Sequence, residues 1–451
     1  MKKKWELPFY SFYDVKGMER HLEKLAARGW MLEKLGNYGW TYVRCEPKQV
    51  HFTVTYYPKA SAFDPEPTEG QQTFEEFCGH SGWQLVGSNA KLMVFVNERE
   101  DPVPIHTDPG MELEMMEKVG RQMVGTWIVL LAFLGWNLFL SGRRFLARPI
   151  QVLSSNFSMG FLPVELLMVL YFILDLATWY GWRRRARQAA EREEPLPAAR
   201  GHQKLIAATF LLAIGLMVVT LLFDGESGLR PLLLAHMTGL ILLCLAVNGI
   251  RMALKRRKAS RAKNMVITLL ADLVLAMVLT GTVIWVTSQF RGTERAGEIT
   301  PAITAEELSG IPQPGAMQKV SRYSSLLVTD TKVWDMPSGR VPRKEVRSLS
   351  YELVEIRFDP VYHLCLRDLY HRYDRYGDHS EDFDEEDPFY VYKPMDPEPW
   401  GAEEVWQLWS YGKPKSTYLV CWADRILEFE AGWPLDEEEM ALAARRLGPE
   451  T

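Results

Sequence analysis

The sequence lacks the features that announce catalysis or metal binding. Its five cysteines are scattered, no CxxC pair occurs, and no Cys/His cluster has the spacing of zinc ligands. No GxSxG, HExxH, Walker or GxGxxG motif occurs either. We therefore predict no enzymatic activity, no cofactor and no metal site, and a membrane enzyme without a recognisable motif is the third of three functional hypotheses.

Signals for secretion and for nucleic-acid binding are also missing. Lys2, Lys3 and Lys4 stand at the start, but no apolar stretch follows them, so the sequence predicts no secretory signal. The net charge is -5 and no domain-wide basic surface accompanies it, so nucleic acid is not an expected partner. At 451 residues the chain exceeds one compact domain and suggests about three units.

Long apolar segments are abundant between residues 122 and 288. Five of them have or approach the ~20 apolar residues that cross a hydrocarbon core of ~30 Å. The segment from Leu205 to Phe223 contains no charged residue, which a soluble helix tolerates only when it is wholly buried. We therefore predict a multi-pass α-helical membrane protein with a five-helix transmembrane bundle, partnered by the lipid bilayer. The predicted spans are residues 123–140, 161–180, 205–223, 231–250 and 265–286.

The distribution of Lys and Arg predicts the orientation of these spans in the cell membrane. The loops after the second and fourth segments hold seven such residues each, whereas the loops after the first and third hold three and one. Because loops rich in Lys and Arg stay in the cytoplasm, the N-terminus should be cytoplasmic and the C-terminus, after five crossings, extracytoplasmic. Several tryptophans lie near segment ends, as interfacial anchors do. They are Trp127, Trp136, Trp179, Trp182 and Trp285.

The pattern of residues 1–105 predicts a small α+β domain. An amphipathic connector is predicted to follow it at residues 106–121. Val15 to Ala27 has the apolar spacing of an amphipathic helix, and His51 to Tyr57 alternates as half-buried strands do. The tetrapeptide that begins at Gly29-Trp30 recurs at Gly82-Trp83, each time where a helix passes into a strand. This recurrence predicts two related helix-plus-strands units on one sheet, with Trp30 and Trp83 in the structural core.

Particular residues of this domain carry a family resemblance. They are Phe12, His21-Leu22, the run from Ala26 to Leu32, Tyr42, Glu46-Pro47, Val54 to Tyr56, and Gly82 to Val86. With these residues the segment resembles the bacterial family called domain of unknown function 2812, although at His21 the family usually has an aromatic residue, usually Trp. The resemblance implies a cytoplasmic domain ahead of several membrane helices. It also implies a regulatory role and a PadR-type regulator as protein partner, because genes of the family often neighbour such regulators.

After the last span we predict a tether at residues 289–315, and a second α+β domain at residues 316–451. For this domain we predict one strand, three helices and a hairpin, the first helix being capped by Asp359. These elements are a strand at Ser350 to Phe358, a helix from Pro360 towards Tyr373, a helix at Ala402 to Tyr411, a hairpin of Ser416 to Ala423 with Arg425 to Ala431, and a helix at Leu435 to Leu447.

Three features of this domain allow two interpretations each. Cys365 and Cys421, the only cysteines assigned to the outside, form either a disulfide or two small buried apolar residues. The seven carboxylates from Asp378 to Asp387 favour a solvated loop over a calcium site, because their spacing fits no EF-hand loop. Five tryptophans favour core packing over stacking on cell-wall sugars. They are Trp400, Trp406, Trp409, Trp422 and Trp433.

Four ionisable residues fall inside the predicted spans, where each costs several kcal/mol unless it is paired or hydrated. They are Glu165, Asp175, His236 and Asp272. Their depths allow an outer Glu165–His236 pair and an inner Asp175–Asp272 pair that shares a proton or cation. The alternative is that each bonds a neighbouring helix or interfacial water.

The leading functional hypothesis is a regulatory or signalling membrane protein that couples an external domain to a cytoplasmic protein-binding domain. Two sizeable domains at opposite ends of the spans motivate it. The second hypothesis is a small transporter, or transporter subunit, that uses the four intramembrane ionisable residues. Five helices without repeat symmetry argue against a complete transporter.

Overall fold

The computed structural model of the protein comprises two compact units. Unit 1 comprises Met1–Asn137, Val164–Gly215 and His236–Thr282, and unit 2 comprises Leu138–Pro163, Leu216–Ala235 and Val283–Thr451. The structure describes residues 2–8, 10–36, 39–199, 203–223, 229–290, 300–313, 315–337, 347–373 and 390–449. Within these ranges, the side chains of residues 203, 206, 221, 223, 229–236 and 283–290 lie outside the description.

The N-terminal domain, in unit 1, is a tandem repeat of a strand, a helix and a hairpin. The first copy consists of β1 (Lys3–Glu6), α1 (Val15–Ala26), β2 (Trp30–Gly36) and β3 (Gly39–Arg44). The second consists of β4 (His51–Tyr56), α2 (Glu69–His80), β5 (Gln84–Asn89) and β6 (Leu92–Asn97). Each copy forms its own antiparallel sheet, in the order β1-β3-β2 and β4-β6-β5. The duplication agrees with the prediction, but the single sheet was wrong.

Glycine and tryptophan stand at the same point of each copy. Gly29 and Gly82 have φ angles of 77° and 84°, in the left-handed region that glycine adopts without a Cβ penalty. The next strand carries an irregularity at the same offset in both copies, after Leu32 and after Leu85. The two copies share the same left-handed turn before the strand and the same strand irregularity after it, which explains why the Gly-Trp pair recurs.

The two tryptophans differ in burial. Trp83 is 3% exposed and its Nε1 donates to the carbonyl of Val103 at 2.8 Å. Trp30 is half-buried, with the Arg44 guanidinium 5.2 Å from its ring centroid. The predicted core role is therefore complete for Trp83 and only partial for Trp30.

Four helices of the described chain are long and apolar enough to cross a membrane. They are α3 (Pro109–Ala147), α5 (Asn156–Glu191), the segment Met237–Arg256 of α7 (Leu229–Arg256) and the segment Arg261–Thr282 of α8 (Arg261–Phe290). Large apolar side chains such as Val129 and Val278 are 68% and 60% exposed on them, a surface that suits lipid. The predicted connector and first span are one continuous helix, α3. Another helix, α6 (Gln203–Phe223), has 21 residues, and its described apolar part, Ala207–Thr220, is shorter than a crossing.

The C-terminal domain, in unit 2, is built on a seven-stranded antiparallel sheet in the order β10-β11-β12-β13-β9-β8-β7. The strands are β7 (Ala316–Ser324), β8 (Val328–Pro337), β9 (Leu349–Ile356), β10 (Tyr390–Met395), β11 (Glu404–Ser410), β12 (Lys413–Cys421) and β13 (Arg425–Ala431). The helices are α9 (Ala305–Ser309), α10 (Tyr362–Tyr370) and α11 (Glu437–Leu447). Alternate strand residues enter two different cores, as the period of two along a strand requires. One core includes α9 and α11, and the other includes α10.

The structure agrees with some predicted elements of this domain and overturns others. The β12–β13 hairpin is present, and Asp436 closes a capping box at the start of α11. The helix predicted at Ala402 to Tyr411 is wrong, because these residues form β11. Its register shifts between Gln407 and Trp409, which places buried residues three apart and imitates helical spacing. Asp359 does not cap a helix with its side chain but begins a 3-10 turn ahead of α10.

The predicted tether is shorter than residues 289–315. Ile303, Ala305 and Leu308 are buried in the core that α9 and α11 share, so residues from about 303 onwards belong to the domain. The acidic run from Asp378 to Asp387 lies outside the described residues. The tryptophans favour core packing, as predicted, since Trp400, Trp422 and Trp433 are buried while Trp406 and Trp409 are half-buried.

Cys365 and Cys421 are both buried in the same core as free thiols, so the predicted bridge is not formed in the structure. Burial raises the pKa of each thiol to about 12. Because the thiolate is the species that exchanges disulfides, these side chains behave here as small apolar residues.

A short helix between the first two membrane-length helices, α4 (Pro149–Leu153), packs against the C-terminal sheet within unit 2. Ile150 and Leu153 are 2% and 4% exposed in the core that contains α10. The backbone N–H of Leu326 donates to Asn156 Oδ1 at 2.9 Å, and that of Ile150 to Asp368 Oδ2 at 3.4 Å. The segment between α3 and α5 is therefore an integral part of the C-terminal domain.

Candidate functional site at the N-terminal domain and membrane helix α5

The loop between β1 and α1 carries the polar groups of the site. Asp14 caps α1 by accepting from the backbone N–H of Gly17 at 3.1 Å. The hydroxyl of Tyr56, on β4, donates to the carbonyl of Phe12 at 2.8 Å. These bonds fix the loop from both repeat copies, so its side chains point in defined directions.

Asp175, on α5, accepts two hydrogen bonds from this loop. Its Oδ1 lies 2.6 Å from Ser11 Oγ and 2.8 Å from the Tyr13 hydroxyl. Asp175 and Tyr13 are 2% and 1% exposed. Burial, and then the charge of Asp175, raise the pKa of Tyr13, so the phenol keeps its proton and donates. The arrangement compensates a carboxylate on a membrane-length helix with hydroxyls of the N-terminal domain.

Aromatic rings surround this polar contact. The Phe12 and Trp179 ring centroids lie 4.7 Å apart, and those of Tyr13 and Trp182 lie 6.1 Å apart. Trp179 and Trp182 are 3% and 2% exposed, so the expectation that they anchor in the membrane interface was wrong. Asp175, Trp179 and Trp182 follow at intervals of four and three residues, which places them on one helical face. That spacing was the signal in the sequence that could have revealed the site.

Ion pairs tie the beginning of α3 to the end of α5. Glu117 Oε1 lies 2.7 Å from Arg183 Nε and 2.8 Å from Arg187 Nε. The hydrogen bond that Arg183 donates, with a second from Arg187, outweighs burial and lowers the pKa of Glu117 to about 2. Nearby, Leu113 and Met116 of α3 are buried in the core of the N-terminal domain. The family-like domain therefore includes the connector and the end of α5.

The second loop rich in Lys and Arg also contacts the N-terminal domain. Asn264 Nδ2 donates to the carbonyl of Phe63 at 3.1 Å, and Arg261 Nη1 donates to the carbonyl of Lys59 at 3.2 Å. Lys258 Nζ lies 2.7 Å from Glu66 Oε1. Both segments with seven Lys or Arg residues thus contact the same N-terminal domain within unit 1.

The other predicted intramembrane residues do not join Asp175. Glu165 is buried on α5 at 4% exposure, whereas Asp272 on α8 is exposed. The inner Asp175–Asp272 pair was wrong, because Asp175 is enclosed by the N-terminal domain. The side chain of His236 lies outside the described residues, so its pairing with Glu165 stays a prediction.

A cavity of about 270 Å³ adjoins Asp175, lined among others by Ser11, Trp127, Tyr171 and Phe210. Its walls are mostly aromatic and apolar, and Asp175 supplies the one carboxylate among its described lining residues. Within the described ranges, no three His, Cys, Asp or Glu side chains converge as metal ligands.

The C-terminal domain contains a row of buried charges that the sequence analysis missed. Lys332, Glu352 and Glu428 are cross-strand neighbours on β8, β9 and β13. Arg372, just after α10, donates to both Glu352 oxygens, at 2.7 and 3.0 Å, and to Glu428. Lys332 Nζ lies 3.1 Å from Glu352 and 3.4 Å from Asp330, which is 2% exposed.

These buried carboxyls differ in proton affinity. Burial raises the pKa of Glu428 to about 7 despite the charge of Arg372. Burial and the Glu352 charge raise the pKa of Asp330 to about 7. For Glu352, burial is outweighed by the Arg372 hydrogen bonds and by Lys332, and its pKa is lowered. Glu428 and Asp330 therefore hold a proton more readily than Glu352, which pairs with both Arg372 and Lys332.

Comparison with curated proteins gave no match, and comparison with solved structures gave none. A family model matches from the N-cap of α1, through both repeat copies and the connector, into the first membrane-length helix. Residues 14–129 match the family described as Protein of unknown function (DUF2812), and the resemblance inferred from the sequence is confirmed.

Proposed function

We propose that this chain is an integral membrane protein with a regulatory or signalling role, in which α5 and the N-terminal domain move together through Asp175. The observation that carries the proposal is the pair of bonds from Ser11 and Tyr13 to this carboxylate. Moving the loop away from α5 would leave the carboxylate without its donors in an apolar setting, at a cost of several kcal/mol. A change in the membrane helices is therefore passed to the soluble domain.

The proposed topology has five crossings, with the N-terminus in the cytoplasm and the C-terminus outside. The end of α5, which precedes α6, and the beginning of α8, which follows α7, both contact the N-terminal domain, through Arg183 and Asn264. Hence α6 and α7 either both cross or neither does, and α7 contains a segment long enough to cross. This supports α6 as the fifth crossing. The packing of α4 on the C-terminal sheet supports placing that domain with the first loop, which is poor in Lys and Arg.

In this proposal the external domain meets a signal and the cytoplasmic domain binds a protein. The family resemblance implies a PadR-type regulator as that protein. Because the core of the N-terminal domain includes residues of α3 and α5, a bait of residues 1–105 would lack part of its core. The full chain is therefore the appropriate bait for capturing the cytoplasmic partner.

Hydrogen–deuterium exchange of the full chain in lipid nanodiscs tests the coupling. Tyr13→Phe removes one hydrogen bond to a charged group, about 1.5–3 kcal/mol, and Asp175→Asn weakens both. Both variants should raise exchange in α1 and β4 about tenfold or more. Tyr180 lies next to Trp179 on α5 and is 45% exposed, so the control Tyr180→Phe should leave the exchange of α1 and β4 unchanged. Equal exchange in all four proteins would refute the coupling.

The second candidate, a small transporter or transporter subunit, is favoured by the cavity beside Asp175 and by the burial of Glu165. The exposure of Asp272 argues against a chain of buried carboxylates across the helices. Proton flux into proteoliposomes separates the candidates. A flux that Asp175→Asn and Glu165→Gln abolish, while partner capture persists, would favour the transporter.

A further inference from the structure

A second and larger cavity, of about 520 Å³, opens where β2, β3 and the loop after β4 face the end of α7 within unit 1. Its volume lies in the range of small-molecule sites, about 300–1,000 Å³. None of the contacts around Asp175 involves it. Its lining differs sharply from that of the smaller cavity, since it combines basic, hydroxyl and amide groups with one large aromatic ring.

Three basic side chains line this cavity: Lys34 from β2, and Arg251 and Lys255 from α7. Arg251 and Lys255 are four residues apart, so they project from one face of the helix. In the described chain, no carboxylate lies within ion-pair distance of these three side chains. Arg251 donates through Nη2 to Asn248, while its buried Nε has no hydrogen-bond partner among described residues.

The acidic residues of the lining are already engaged. Asp64 accepts from the Ser61 backbone N–H at 2.7 Å and lies 3.8 Å from Arg261, and Glu66 pairs with Lys258 at 2.7 Å. Two like charges one helical turn apart repel each other, and an anion between them relieves that repulsion. Asp64 attracts Lys255 at longer range, but among the described residues neither Arg251 nor Lys255 forms an ion pair with a carboxylate of the lining.

An aromatic wall stands beside these charges. Trp5 packs on the backbone of Gly39, where an added Cβ would lie 2.5 Å from its indole Cε2, and it is still 61% exposed. Gly39 has a φ of 151°, so a side chain there would be strained as well as obstructed. Thr41, Ser88 and Asn89 add hydroxyl and amide groups to the same lining. A flat ring can stack on Trp5 while these groups hydrogen-bond to it.

We propose that this cavity binds a phosphate ester, with the phosphate between Arg251 and Lys255 and a flat ring against Trp5, the chemistry of a nucleoside phosphate. An anionic lipid headgroup shares the phosphate but lacks the ring. A bound ligand would join the N-terminal sheets to α7, and so would stabilise the soluble domain against that helix. The site is independent of the signalling role, because binding can be measured whether or not a protein partner exists.

The test is a titration of the full chain, in nanodiscs of neutral phosphatidylcholine, with trinitrophenyl-ATP as the fluorescent probe. Arg251→Gln and Lys255→Gln should each weaken binding about tenfold or more, the loss of one hydrogen bond to a charged group. Arg257→Gln removes the same charge from an exposed residue outside the lining and should change affinity less than about twofold. Trp5→Ala should weaken the probe as well. Arg251→Lys, which keeps the charge, should retain part of the affinity.

A parallel arm uses nanodiscs that contain phosphatidylglycerol and measures thermal stability without the probe. If the lipid raises the melting temperature of the wild type and of Arg257→Gln but not of Arg251→Gln, the phosphate site holds and its source is a lipid. If the probe binds as expected and the lipid has no such effect, the source is a nucleotide. If Arg251→Gln and Arg257→Gln behave alike in both arms, the proposal is overturned.

Discussion

The buried charges of the C-terminal domain predict opposite roles for two carboxylates that bind the same guanidinium. Glu352 and Glu428 are direct cross-strand neighbours, and Arg372 donates to both. Like charges directly opposite each other destabilise a sheet. The guanidinium therefore stabilises the charged form of one carboxylate, while the charged form of the other is destabilised by its neighbour and by burial. The pKa directions identify them, since it is lowered for Glu352 and raised for Glu428.

The pH dependence follows from these directions. The pKa of Glu428 rises from 4.5 to about 7 on folding, so its stabilising contribution is full below about pH 4.5 and is lost as the pH rises through about 7. Since a tenfold change in proton affinity is about 1.4 kcal/mol, ionising Glu428 in the folded domain costs about 3 kcal/mol more than in the unfolded chain. Glu428→Gln removes that cost at about pH 8 but loses a charged hydrogen bond of about 1.5–3 kcal/mol.

The two substitutions should therefore differ clearly. Glu428→Gln should change local stability by less than about 1.5 kcal/mol at about pH 8. It should also reduce the decline in stability between about pH 5.5 and 8, and the decline that remains belongs to Asp330, whose pKa is also raised to about 7. Glu352→Gln breaks the buried bidentate ion pair with Arg372 and should lower the stability of the domain by about 3–5 kcal/mol. Hydrogen–deuterium exchange of β9 and β13 in the full chain measures both, with Glu404→Gln, at an exposed carboxylate of β11, as the control. Equal losses from Glu428→Gln and Glu352→Gln at high pH would refute the reasoning.

Three further predictions concern the topology, the packing of α3 and the cysteines. A reporter fused after Arg257 should behave as cytoplasmic and one after Thr451 as external, and a cytoplasmic C-terminal signal would remove the five-crossing topology. Gly120→Leu should cost about 1–3 kcal/mol in thermal unfolding, because a Cβ there would lie 2.5 Å from an indole carbon, whereas a Cβ at Gly125 meets no atom within 4 Å and Gly125→Leu should be neutral. Alkylation before digestion should label Cys365 and Cys421 only after unfolding, and a non-reduced peptide that links them would show that the bridge forms.

Parts of the fold follow from local pattern alone. The amphipathic helix α1, the β12–β13 hairpin and α11 were expected from the local sequence, and all three are present. The strand β11 was not, because its bulge shifts the buried positions out of the alternation that marks a strand. The polar contact at Asp175 was also missed, since its donors precede it by more than 160 residues.

The sequence by itself determined that the chain has membrane-length apolar helices between two β-containing domains. Transfer of a segment into lipid depends on the composition of that segment, so no knowledge of its neighbours was needed. Only the tertiary structure decided that the tandem copies form two sheets, that Asp175 faces Tyr13 rather than Asp272, and that Arg372 bridges two glutamates. Each of these depends on the rotation of a helix or the register of a strand against residues distant in the chain, and composition does not encode either.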